Sequence, residues 1–241
     1  MVVEEGKEPV PLVNTSDQTL TPAAALGLSE VAFIIDSSSP RPHREVGIAE
    51  VSTGTILRRI AFDHGVITSL AATPDGKTVF LASGGSIWSV PSAGGAPKKI
   101  RSGDSMGVDP TGKYLLVQVV ENPAPRLVRV PLDGGAEQEI PLTGPYHLTF
   151  QPIHSEMIGK DGRLVAPLTS PDSWFFSPGV VDLATGRMTR IPVENYFDYL
   201  FLAWGRDGQI IGTAKGLKST LWKFEPNRRL LLATALSRFI R

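Results

Sequence analysis

Ser105 lies in Gly103-Asp-Ser-Met-Gly107, the spacing of a nucleophile elbow, in which a strained turn lifts a serine hydroxyl toward a neighbouring base. That chemistry needs a strand, a sharp turn and then a helix. Here the residues after Ser105 run into an extended segment ending at Asp109-Pro-Thr-Gly112, so the helix is missing. Overlapping it, Gly107-Val-Asp-Pro-Thr-Gly-Lys113 has the outline of a phosphate-cradling loop. Tyr114 stands where a Ser or Thr would hold magnesium, and Tyr114 to Val120 reads as strand. The four histidines, His43, His64, His147 and His154, include no pair at the i, i+2 or i, i+4 spacing of a local metal clamp, and the chain has no cysteine to assist. Asp63, His64, Asp104, His147 and Asp198 could serve a hydrolase or lyase only if the fold brings them together. No catalytic residue, metal site or cofactor is therefore expected from local motifs.

The elements that would position these residues repeat. Leu70-Ala-Ala-Thr-Pro-Asp-Gly-Lys-Thr-Val-Phe-Leu-Ala82 sets two apolar runs around a turn. Proline presets φ at the corner, aspartate can bond its own backbone, and glycine takes a positive φ cheaply. The unit returns as Val108-Asp-Pro-Thr-Gly-Lys-Tyr, as Ile158-Gly-Lys-Asp-Gly-Arg-Leu and as Trp204-Gly-Arg-Asp-Gly-Gln-Ile, with turn glycines Gly76, Gly112, Gly162 and Gly208 spaced 36, 50 and 46 residues apart. A second turn alternates with it: Ser52-Thr-Gly, Ser92-Ala-Gly-Gly, Leu132-Asp-Gly-Gly and Ala184-Thr-Gly. Each follows a strand with paired same-face apolar residues (Ala49/Val51, Trp88/Val90, Val128/Val130, Val181/Leu183) and an apolar residue on the other face (Ile48, Ile87, Leu127, Val180). Strands apolar on both faces suit sheets sandwiched between sheets.

All-strand repeats of this length predict a β-propeller of about five four-stranded antiparallel blades. The blades parse as about 22–60, 61–100, 101–142, 143–193 and 194–236. Glu8 to Val13 is a strand left over. It closes the ring onto blade five or ends a further blade encoded upstream, in a larger ring of six to eight blades; the second reading is preferred. Trp88, Trp204, Trp222, Phe80 and Phe224 are expected in the core.

With strands A to D numbered outward, the D-to-A and B-to-C connections share one face. That face collects the longest loops, Ser37 to Val46, Val120 to Arg126 and Leu168 to Gly179, and the candidate ligand-binding residues Arg41, His43, His64, Arg101, Asp104, Tyr146, His147, Trp174, Phe175, Phe176, Tyr196 and Asp198. His154 falls on the opposite face. Trp174-Phe175-Phe176, in a Pro/Ser-rich loop, either meets a partner, where aromatics are enriched, or folds back to cap its own blade.

The Thr-Pro-Asp-Gly-Lys unit, Ile87-Trp-Ser-Val-Pro-Ser-Ala-Gly-Gly95 and Leu127-Val-Arg-Val-Pro-Leu-Asp-Gly-Gly135 resemble the TolB-type propeller repeat. Asp182-Leu-Ala-Thr-Gly-Arg187, Leu202-Ala-Trp-Gly-Arg-Asp-Gly-Gln209 and Thr220-Leu-Trp-Lys-Phe224 resemble the end of propellers attached to bacterial serine/threonine kinases. The resemblance implies a sensory or interaction domain, with any kinase upstream, since the chain has neither a His-Arg-Asp loop nor an Asp-Phe-Gly motif.

Equal numbers of Lys+Arg and Asp+Glu, 24 each, leave no net positive charge and are poor support for nucleic-acid binding, which needs a basic stripe. No basic region followed by an apolar run opens the chain, so no signal peptide is read, and no apolar run is long enough to span a membrane. As part of a membrane receptor the domain would be extracytoplasmic; otherwise it would be cytoplasmic. Three readings stand: a non-catalytic binding or sensing propeller engaging a protein, peptide or small ligand; a propeller enzyme acting at the channel mouth; and a structural arm of a larger chain.

Overall fold

Consecutive strands pair in fours, as the alternating turns predict. A computed structural model of the chain describes residues 8, 11–13, 15, 18–37, 43–193 and 197–216. The first sheet holds β1 (Gln18–Leu26), β2 (Glu30–Ser37), β3 (His43–Glu50) and β4 (Ile56–Phe62). The second holds β5 (Ile67–Ala72), β6 (Thr78–Ser83), β7 (Ser86–Pro91) and β8 (Lys98–Ser102). The third holds β9 (Ser105–Val108), β10 (Tyr114–Val119), β11 (Arg126–Pro131) and β12 (Gln138–Ile140), and the fourth β13 (His147–Leu148), β14 (Arg163–Ser170), β15 (Ser173–Asp182) and β16 (Met188–Arg190). β17 (Phe197–Trp204) and β18 (Ile210–Gly216) pair in a fifth. Every pair is antiparallel and neighbours follow chain order, and β5 packs between β1 and β9 as an inner strand. This is an all-β propeller.

The two-faced apolar pattern explains how the sheets stack. Val79, Leu81 and Val90 join Ile34, Val46 and Ile48 between the first and second sheets, with Trp88 packed against them. One residue along, Phe80, Ala82 and Ile87 face the other way and meet Met106, Leu115 and Val117 of the third sheet. Leu116 and Leu127 in turn face Leu164, Leu168 and Val181 of the fourth. Side-chain alternation along a strand divides each sheet between two interfaces, and each fully buried aliphatic side chain contributes about 1.5–3 kcal/mol. The remaining face of the first sheet (Val31, Phe33, Ile35 and Ala49) is packed by Ile56, Leu12 and Val13. Residues 8 and 11–13, from the stretch read as a leftover strand, form no strand. Trp222 and Phe224 lie outside the described residues.

The repeated turns close as their residues dictate. Gly76 and Gly112 both sit at φ +71, a left-handed conformation that other residues adopt at a cost. In the first of these turns the Thr73 hydroxyl donates to Asp75 Oδ1 at 2.6 Å and accepts from the Thr78 N–H at 3.1 Å. In the next, Asp109 is buried and accepts the N–H groups of Thr111, Lys113 and Tyr114 at 3.0, 2.6 and 2.8 Å. The loop that resembled a phosphate cradle is thus a hairpin turn built around its own aspartate.

The 50-residue spacing in the fourth repeat reflects an insertion between Leu148 and Ile158 that breaks the inner strand. The Pro167 carbonyl accepts the Thr149 N–H, but its ring nitrogen has no hydrogen to return, so the inner strand stops after Leu148. The chain then leaves the ladder through a 3₁₀ turn, Ser155–Met157, and rejoins it at Ile158, opposite Leu164.

Candidate functional site

On the face carrying the D-to-A and B-to-C connections, the segment containing Trp174, Phe175 and Phe176 is not the loop expected from its Pro and Ser content. It belongs to β15, in a hairpin that closes with Ser170 opposite Ser173 across Pro171-Asp172. Leu168 pairs with Ser177, so three aromatic residues on β15 stand opposite Thr169 alone. The trio is a β-bulge, the device that re-aims side chains where a ladder is interrupted. Its backbone is nonetheless held: the Phe175 N–H donates to the Ser173 hydroxyl at 3.1 Å and the Phe176 N–H to Asp198 Oδ1 at 2.8 Å. Phe175 and Phe176 are half-buried, whereas Trp174 is 99% exposed. Asp198 is the second residue of β17, so the fifth sheet anchors the bulge of the fourth.

Of the other candidates on this face, His64, Arg101, Asp104 and Tyr146 each have a structural partner. His64 stacks on Trp88, ring centroids 4.1 Å apart, on a strand two places outward from the inner β5. Arg101 lies 2.8 Å from Glu137 Oε2, tying the outer edges of the second and third sheets. Asp104 accepts the Val120 N–H at 2.7 Å. Tyr146 packs against the core of the fourth sheet, and the exposed His147 opens β13. His43 is the first residue of β3, paired with Ser37. Arg41 and Tyr196 lie outside the described residues. Among the described residues, no three His, Asp or Glu side chains are grouped to hold a metal ion.

Ser105 is 1% exposed, and its hydroxyl is used twice. It donates to Gln118 Oε1 at 2.7 Å and accepts the Ile153 N–H at 3.0 Å, while Gln118 Nε2 donates to the Thr149 carbonyl at 3.0 Å. Val108 N–H reaches the Ser155 hydroxyl at 3.0 Å, and a Cβ on Gly107 would sit 2.8 Å from the His154 backbone. The Gly-x-Ser-x-Gly match is a seam joining β9 to the insertion of the fourth repeat.

The opposite face, where A-to-B turns converge, holds a cavity of about 790 Å³. Its wall includes Ala24, Ala72, Pro74 and Pro110 on one side and Lys160, Arg163, Trp204 and Arg206 on the other. Arg163 lies over the Trp204 ring at 5.1 Å and donates to Asp161 Oδ2 at 2.6 Å, which holds the Asp161 carboxyl below its ordinary range. Burial pushes the Glu156 carboxyl up, but the hydrogen bond to His154 at 3.0 Å, a backbone hydrogen bond and the attraction of the His154 ring together outweigh it and leave Glu156 low. None of the ligand-binding candidates expected from the sequence lines this cavity. Its signal was the basic residue in Gly159-Lys-Asp-Gly162 and Gly205-Arg-Asp-Gly208, in the place where the second and third repeats carry proline.

No helix among the described residues is long and apolar enough to cross a membrane. No protein-family model matches the sequence, and no curated protein is significantly similar to it. Solved structures do resemble it. Kuenenia stuttgartiensis hydrazine synthase superposes with a TM-score of 0.60 at 18% identity, over 93% of this chain and 62% of that one. A putative TolB from Agrobacterium tumefaciens gives 0.60 at 13% identity, over 86% and 78%. A chain of the nidogen/laminin complex gives 0.52 at 16%, over 80% and 74%. The chain thus spans about three fifths of the hydrazine synthase chain it matches, and at these identities the likeness is one of fold: a TolB-like β-propeller.

Proposed function

We propose that this chain is a non-catalytic binding propeller that engages a protein partner through the bulged edge of the β14–β15 hairpin. One observation carries the reading: Trp174 is 99% exposed on a bulge whose backbone is fixed by Ser173 and Asp198. A bare indole on a rigid mount is the composition of an interface anchor, because little conformational entropy is lost when it docks. The fold supports the reading too, since one similar solved structure is itself a complex of two proteins. Three of the five side chains that an enzyme could use on this face, His64, Asp104 and Asp198, instead contact Trp88, Val120 and Phe176. A kinase upstream, as the C-terminal resemblance implies, would make the propeller its sensing arm, and the blade limits given above belong to the same proposal.

A photo-crosslinking amino acid placed at position 174 tests it, with Leu28 as the control. Leu28 is equally exposed but lies in the β1–β2 turn on the opposite face. The expected result is one protein adduct formed from position 174 and absent from position 28. Equal labelling from both positions, or none from 174, would contradict the proposal.

A further inference from the structure

A different site stands on the opposite face. Pro74, Pro110, Lys160 and Arg206 all lie two residues before their turn glycines, and all four line the 790 Å³ cavity. The repeat therefore delivers one side chain per turn to the rim. The second and third repeats deliver prolines there, beside Ala72 and Val108, and the fourth and fifth deliver cations. The volume falls within the range of small-molecule sites, roughly 300–1,000 Å³.

The charges nearby are unequally committed. Asp109 is occupied by three backbone N–H groups and the Thr111 hydroxyl, Asp161 by Arg163, and Glu156 by His154. Asp207 neighbours Arg206 in sequence but is not part of the wall. Among the described residues, Lys160 and Arg206 are exposed and held by no hydrogen bond or ion pair. The Trp204 indole N–H is likewise without a partner and packs against Gly159, where a Cβ would come within 3.1 Å of it.

We propose that this cavity binds a small organic anion, a carboxylate carried on an apolar body. The carboxylate sits between Lys160 and Arg206, and the apolar part lies against the proline side of the rim. A free phosphate fits less well, because phosphates are usually cradled by several unspent backbone N–H groups. Here the turn N–H groups of Gly76, Gly112, Gly162 and Gly208 are spent on the carbonyls of Thr73, Asp109, Gly159 and Gly205 at 2.8–3.2 Å. What remains is two cationic side chains on long stems, suited to a carboxylate.

Calorimetric titration with hexanoate, hexanol and inorganic phosphate tests this, read together with thermal melts. Hexanoate is expected to bind at one site, raise the melting temperature and weaken with added salt, while hexanol and phosphate bind at least about tenfold more weakly. In the K160Q/R206Q double variant, hexanoate affinity should fall at least about tenfold with the ligand-free melt unchanged, because both side chains are exposed. Trp174→Ser should leave hexanoate binding intact. The proposal is overturned if hexanoate does not bind at millimolar concentration, if phosphate or hexanol binds as tightly, or if the double variant binds as the parent does.

Discussion

Ser105 shows how a side chain can fit a catalytic pattern and serve packing instead. Its hydroxyl bridges Gln118 and the Ile153 N–H inside a seam between two sheets, with no exposed lone pair aimed at a cleft. Replacing it with alanine leaves a buried amide N–H and a buried amide oxygen each short of a partner. Ser105→Ala should therefore destabilise the fold by about 1–3 kcal/mol, measured by denaturant unfolding. The parent protein should also fail to react with a serine-directed fluorophosphonate. A stable variant, or stoichiometric labelling of Ser105, would return the nucleophile reading to contention. His64 follows the same logic. Its residue type suggested a ligand or base, and its ring packs flat on Trp88.

At the scale of elements, the bulge on β15 determines what the hairpin presents. Two additional residues opposite Thr169 push the aromatic trio out of the ladder, and Asp198 caps one of the amides released. Asp198→Ala should speed hydrogen exchange at the Phe176 amide by at least about tenfold, at a stability cost of only about 0.5–1.5 kcal/mol. Unchanged protection at Phe176 would mean that another group holds the bulge. This element also marks the limit of what the sequence discloses. The turns of the repeat were legible because proline, aspartate and a positive-φ glycine leave a chemical signature, and the two-faced apolar pattern followed from period 2. The bulge was not legible, since Pro171, Ser173 and Ser177 suggest a loop and a register shift has no residue type of its own. The long fourth repeat was visible as spacing, but not the break in its inner strand, which depends on Pro167 facing that strand.

For the whole molecule, antiparallel blades sort the turns to one face and the connections to the other, so the two faces can hold different chemistries. The loop-rich face attracted attention in the sequence because its segments are long and aromatic. The opposite cavity is assembled from short turns that look alike and lie up to 134 residues apart, from Pro74 to Gly208, so no single stretch of sequence marks it. Sheets two and three are covered on both sides by their neighbours, which gives the scaffold the rigidity that a presented indole needs. The most direct measurement of the central claim is the affinity of the crosslinked partner, once purified, for the parent protein and for Trp174→Ser. An exposed anchor predicts at least about 30-fold weaker binding, the hot-spot range, with stability unchanged to within about 0.5 kcal/mol. Equal affinity for both proteins would contradict a binding role for the hairpin.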